Sequence, residues 1–137
     1  MAGRSRSRQC AQALAEAALA IVPVLMVTVG VVQFALYLYA WHVLDAAVLE
    51  GARVASAQGR TVDEGVTYAR ELVRGGLGPA GYLETPTIDG SASADQVLLE
   101  GRSALHLVIP LATDTRLPLE AHATVRKEHF RPGGRTP

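Results

Sequence analysis

The chain has 137 residues, with 13 Lys/Arg balanced by 13 Asp/Glu, and one cysteine. That length holds at most one small domain besides a membrane segment, and the lone Cys10 excludes an intrachain disulfide and a cysteine zinc cluster. Arg4, Arg6 and Arg8 open the chain without an acid, and the later basic residues are scattered among acids, so no basic face of the kind nucleic acid needs is present.

Residues 1–11 read as a basic leader that stays in the cytoplasm, which puts the C-terminal part outside. Cys10 precedes the apolar run, whereas a lipidated cysteine would follow one. From Ala17 to Leu44 there is no Asp, Glu, Lys or Arg for 28 residues. About 20 apolar residues suffice to cross a bilayer, and the apolar core of a cleaved secretory signal spans only about 7–15. At about 1.5 Å per residue such a helix reaches about 42 Å, longer than a hydrocarbon core of about 30 Å, so it tilts or projects. Pro23 lies inside it, where a missing backbone donor predicts a kink, and Gly30 adds a second flexible point. Tyr37, Tyr39, Trp41 and His42 form an aromatic belt at its far end.

The helix is expected to run on, covering 12–57 in all. Ala47, Gly51 and Ala55 are spaced by four and form a small-residue face that admits another helix closely. That helix belongs either to another subunit or to the chain's own domain. Gln58-Gly59 is a glycine stop.

Residues 58–130 read as a small extracytoplasmic α+β head. Thr61-Val62-Asp63-Glu64 fits a capping box, and the helix that follows, to Arg74, carries Val62, Val66, Ala69, Leu72 and Val73 on its apolar face. Gly75-Gly76 is expected to end it, and Gly78, Pro79 and Gly81 to continue a loop. The pattern then changes. Residues 83–89 suggest an edge strand limited by Pro86. Residues 96–100 and 104–112 read as two strands, 113–118 as a connection, and 119–127 as an alternating strand with Leu119, Ala121, Ala123 and Val125 facing one way. The expected fold is therefore α+β: a long N-terminal transmembrane helix, a second helix and a three- or four-stranded antiparallel sheet. Residues 131–137 read as a disordered tail.

Candidate chemistry is sparse. His106 and His122 could face each other on adjacent strands with Glu120 near, but His42, His106, His122 and His129 are expected to be surface histidines, and no metal is assigned. There is no G-x-S-x-G, P-loop or dinucleotide fingerprint, and GGLGPAG has no Lys or Ser/Thr after it to make a phosphate loop. No catalytic residue, cofactor or enzymatic activity is expected. Glu16 is the residue that demands an account. A lone charge at a membrane helix centre costs about 2.5–3.5 kcal/mol. At the head of the run it is either wetted at the interface or met by a partner charge. A cut shortly before Glu16 would create an α-amino group, and Glu16 of one subunit could neutralise the amine of a neighbour in a parallel bundle.

Three segments carry a resemblance: CAQALAEAALAIVPVL, with Ala11, Glu16 and Pro23; VVQFALYLYA, with Gln33-Phe34; and LEGARVAS, with Glu50, Gly51, Ala52 and Arg53. Together they resemble the TadE-like family, the pseudopilins of tight-adherence (Flp) pilus systems, over residues 11–56. The strand ending Ala123-Thr124-Val125-Arg126-Lys127-Glu128 is also similar to that family's C-terminal strand. The resemblance implies a minor pilin-like subunit of a tight-adherence pilus or related secretion assembly. It implies a prepilin peptidase acting at Ala11–Gln12, with Glu16 the fifth mature residue. Ala11 departs from the usual glycine before that bond, and Gln33 stands where a Glu is frequent. The partners implied are other pilin or pseudopilin subunits, assembly-platform proteins, the peptidase and membrane lipid, with no nucleic acid. The implied location is the bacterial cytoplasmic membrane, single-pass, with the N-terminus inside. A membrane-tethered extracytoplasmic binding module, or an uncleaved accessory subunit of an envelope complex, remains the alternative.

Overall fold

The structure is a computed structural model that describes residues 3–78, 83–109 and 112–128. Pro79, Gly81, His129 and the tail 131–137 lie outside the described residues. The elements in order are α1 (Gly3–Ser56), α2 (Val62–Leu77), β1 (Thr87–Ala92), β2 (Gln96–Ile109) and β3 (Ala112–Arg126). By its internal contacts the chain divides into two units, Met1–Leu36 and Tyr37–Pro137.

The described residues of the first unit are all helical. The backbone is helical from Gly3, so residues 3–11 of the basic leader are part of α1, and the helix continues through Pro23 and Gly30. Every residue from Gln12 to Val32 is exposed. The stretch is long and apolar enough to cross a membrane, and none of its most apolar window is buried. Its hydroxyl is satisfied locally: Thr28 Oγ1 donates to the Val24 carbonyl at 2.8 Å, the back-bonding open to Ser and Thr in a helix.

In the second unit, α1 changes character. Ala40, Leu44, Ala47, Val48, Ala52 and Ala55 are buried, as is Gly51. Their spacing of three and four makes one stripe. The stripe meets α2 at Gly51 and Ala55, and at Leu44 and Val48 it meets Gly101 of a three-stranded antiparallel sheet of order β1-β2-β3. The inward residues of the sheet are Ile88, Val97, Leu99, Leu105, Leu119, Ala121 and Ala123. Each large side chain so buried contributes about 1.5–3 kcal/mol. Two late amides join the ends of the fold: Lys127 N–H donates to the Asp95 carbonyl at 2.8 Å, and Glu128 N–H to the Ser56 carbonyl at 3.1 Å, near the end of α1.

Helix α2 opens with the expected capping box. Thr61 Oγ1 accepts from the Glu64 amide at 3.2 Å, and the Glu64 carboxylate accepts from the Thr61 amide at 3.1 Å. It does not end at Gly75-Gly76. It runs to Leu77, which is buried, and stops at Gly78 with φ +60°. Tertiary packing overrides the weak helix propensity at Gly76, where a Cβ would lie 2.7 Å from Val43 Cγ1. The apolar face is Val66, Ala69, Val73 and Leu77, with Val62 packed against it. Leu72 is exposed, because the stripe drifts past its position.

The sheet departs from expectation in two ways, and the edge strand is displaced. Residues 96–100 and 104–112 are not two strands: β2 passes through Gly101 without a break. A Cβ at Gly101 would lie 2.7 Å from Val48 Cγ2 and 3.0 Å from Leu44 Cδ1, so this glycine admits α1 to the sheet rather than turning the chain. Residues 113–118 are not a connection either, since β3 begins at Ala112. Pro118 pairs opposite Ala104, which is tolerated because β3 is an edge strand. The first strand starts after Pro86, at Thr87, with one isolated bridge, Leu83 to Leu105, before it.

Candidate functional site

Glu16 lies on the exposed helix of the first unit. It has a polar contact one turn back: Gln12 Nε2 donates to Glu16 Oε1 at 3.2 Å. Pro23 is exposed on the same unit, and Phe34 is 63% exposed. Gln33 beside it is half-buried. The surface these residues share is apolar, and Leu19, Ile21, Val24, Leu25, Val27 and Val31 are all more than half exposed.

The Glu50-Gly51-Ala52-Arg53 segment divides its labour. Arg53 Nη1 and Glu50 Oε1 form an exposed ion pair at 2.6 Å. Gly51 and Ala52 are buried. A Cβ at Gly51 would lie 2.7 Å from both Ala69 Cβ and the Gly65 carbonyl oxygen. At Gly65 it would run into the Gly51 carbonyl oxygen, and lie 2.6 Å from Ala55 Cβ. The two glycines face each other and bring α1 and α2 into backbone contact. The small-residue face Ala47, Gly51 and Ala55 is thus taken by the chain's own domain. Two members of the aromatic belt also serve this unit. Tyr39 Oη donates to the Gly76 carbonyl at 2.8 Å, and Tyr37 packs on the core. Trp41 and His42 meet edge to face, with centroids 5.1 Å apart.

The histidines do not converge. His122 stands opposite Glu100 and His106 opposite Arg116, so the two lie about 20 Å apart along the strands at about 3.3 Å per residue. His106 Nε2 lies 3.5 Å from Glu84 Oε1, which also accepts from Arg116 Nη1 at 2.8 Å. Among the described residues no three His, Cys, Asp or Glu side chains gather as metal ligands. A groove of about 620 Å³ lies between α2 and residues 83–87, with Val73, Leu77 and Leu83 beside Arg70 and Arg74. Arg70 Nη2 donates to the Ile88 carbonyl at 3.0 Å and so covers the open edge of β1.

Sequence reasoning missed Leu44, Val48 and Ala52 as core residues, although their spacing with Ala40, Ala47, Gly51 and Ala55 is helical and was there to be read. It also missed Gly65, Gly90 and Gly101 as close-approach glycines. No local signal marks those, because the need arises only when a second element arrives.

Residues 11–53 match the family model of TadE-like protein. The matched segment contains Ala11, Gln12, Glu16, Pro23, Gln33, Phe34 and the Glu50–Arg53 signature, and the family it matches is the one those residues resemble. No curated protein and no solved structure matches the chain.

Proposed function

We propose that this protein is a pilin-like structural subunit, a minor pseudopilin of a tight-adherence pilus or related secretion assembly. The observation that carries the reading is the bare apolar surface of residues 12–36, headed by Glu16 and contained in the TadE-like match. A helix apolar all round requires an apolar environment, which the described part of this unit does not supply. Lipid of the bacterial cytoplasmic membrane is the first such environment, and the parallel helices of like subunits are the second. The basic leader then stays inside and the α+β head faces outward. In this reading a prepilin peptidase opens the Ala11–Gln12 bond, and the Glu16 carboxylate offsets the amine this creates on a neighbouring subunit. The subunit works by assembly with pilin-like and platform proteins and carries out no reaction of its own.

A tethered binding module is the second reading, favoured by the groove beside Arg70 and Arg74. Exchange of residues 13–36 for an unrelated membrane helix separates the two. The pilin reading predicts loss of assembly, and the module reading predicts that function survives. The direct test is the N-terminus of the protein taken from its own membranes. A start at Gln12 supports the pilin reading, and an intact start at Met1 in the working protein contradicts it.

A further inference from the structure

The Gln12–Glu16 contact has a chemical meaning that rests on the proposed cut at Ala11–Gln12. A glutamine at a chain's amino terminus can close on itself. The α-amine nitrogen attacks the side-chain Cδ, the N–Cδ bond forms, the Cδ–Nε2 bond breaks, one amine proton passes to Nε2, and ammonia leaves. No oxidant or other reactant is needed. The product is a five-membered lactam with no basic amine.

The structure holds the side chain against that closure. Gln12 Nε2 donates to Glu16 Oε1 at 3.2 Å, which draws the carboxamide one turn toward the C-terminal end of the helix. Closure demands the opposite: Cδ must fold back onto the residue's own nitrogen. The atom Glu16 engages is also the leaving group. We propose that Glu16 keeps the amino-terminal Gln12 open, and so preserves the amine on which its own charge pairing depends. The acid has two roles that separate chemically. Pairing with an amine needs its charge, whereas holding the carboxamide needs only an acceptor oxygen.

Three full-length proteins test this: the parent, Glu16→Ala and Glu16→Gln. Each is cut before Gln12 in membranes, by the peptidase or by a site-specific protease whose recognition sequence replaces the leader. The last route works even where the peptidase rejects a variant. After equal incubation, undigested protein is examined by mass spectrometry for loss of one ammonia at the first residue, and by stepwise degradation, which a closed terminus blocks. The expected result is an open terminus in the parent and in Glu16→Gln, and a closed fraction about threefold larger in Glu16→Ala, between the effect of a solvated i,i+4 pair and that of a hydrogen bond to a charge. Equal closure in all three overturns the guarding role of Glu16 and leaves the pilin reading intact. Closure in Glu16→Gln as extensive as in Glu16→Ala overturns the acceptor argument. An intact Met1 start in native membranes overturns both the processed-subunit reading and this one.

Discussion

The two halves of α1 are made of much the same residues and behave differently. Residues 12–36 and 37–56 are both rich in Ala, Val and Leu. In the first, apolar side chains cover the whole circumference and stay exposed. In the second, they fall at intervals of three and four, with Asp45, Glu50 and Arg53 between them, and the stripe is buried. Apolar content therefore does not decide where a helix surface goes. The pattern decides, and the environment that fits the pattern follows.

The contrast breaks or holds at single residues. The largest effect is expected for Leu99→Ala, which empties a site with no exposure and lowers head stability by about 3 kcal/mol. Leu25→Ala in the exposed half changes it by no more than about 0.5 kcal/mol. Urea titration in detergent, followed by the fluorescence of the single Trp41, reads both. Next come two glycines of one helix. Gly51→Ala must push a methyl within 2.7 Å of Ala69 and Gly65, and destabilises by about 1–2 kcal/mol once overpacking is set against the helix preference for Ala. Gly30→Ala meets nothing within 4 Å and leaves the head unchanged. Thr61→Ala removes the cap of α2 and costs about 1 kcal/mol in the same titration. Arg53→Ala breaks only an exposed ion pair and costs about 0.5 kcal/mol or less. If the proposed assembly fails in that variant while the head keeps its stability, Arg53 serves a partner and not the fold.

Much of this was legible in the sequence. The uncharged run, the capping box at Thr61 and Glu64, and the alternation Leu119, Ala121, Ala123 are local patterns, and each is found where it was expected. The boundaries that failed share one cause. Gly75-Gly76 and Gly101 look like breaks when read alone. They are continuous helix and strand, and at two of these glycines the fold fills the space a Cβ would need: Val43 stands over Gly76, and Leu44 with Val48 over Gly101. The small-residue face of Ala47, Gly51 and Ala55 was ambiguous for the same reason: spacing shows that something approaches closely, and only the fold shows that it is α2. The Gln12–Glu16 contact was readable from its i,i+4 spacing. The partner-charge reading of Glu16 starts from its place at the head of an apolar run, and its position as fifth mature residue is what the resemblance implies.

The central claim is that residues 12–36 lie in the membrane while the head is outside. With Cys10 changed to Ser, single cysteines are placed at Val24 and at Ser91, both exposed in the isolated chain. Cells from which only the outer layers have been removed are then treated with a charged, membrane-impermeant maleimide. The account predicts that Ser91→Cys reacts in intact cells and that Val24→Cys reacts only after detergent and denaturant. Equal reaction at both positions would place the helix in water, and reaction of Ser91→Cys only after lysis would place the head in the cytoplasm. Either result contradicts the account.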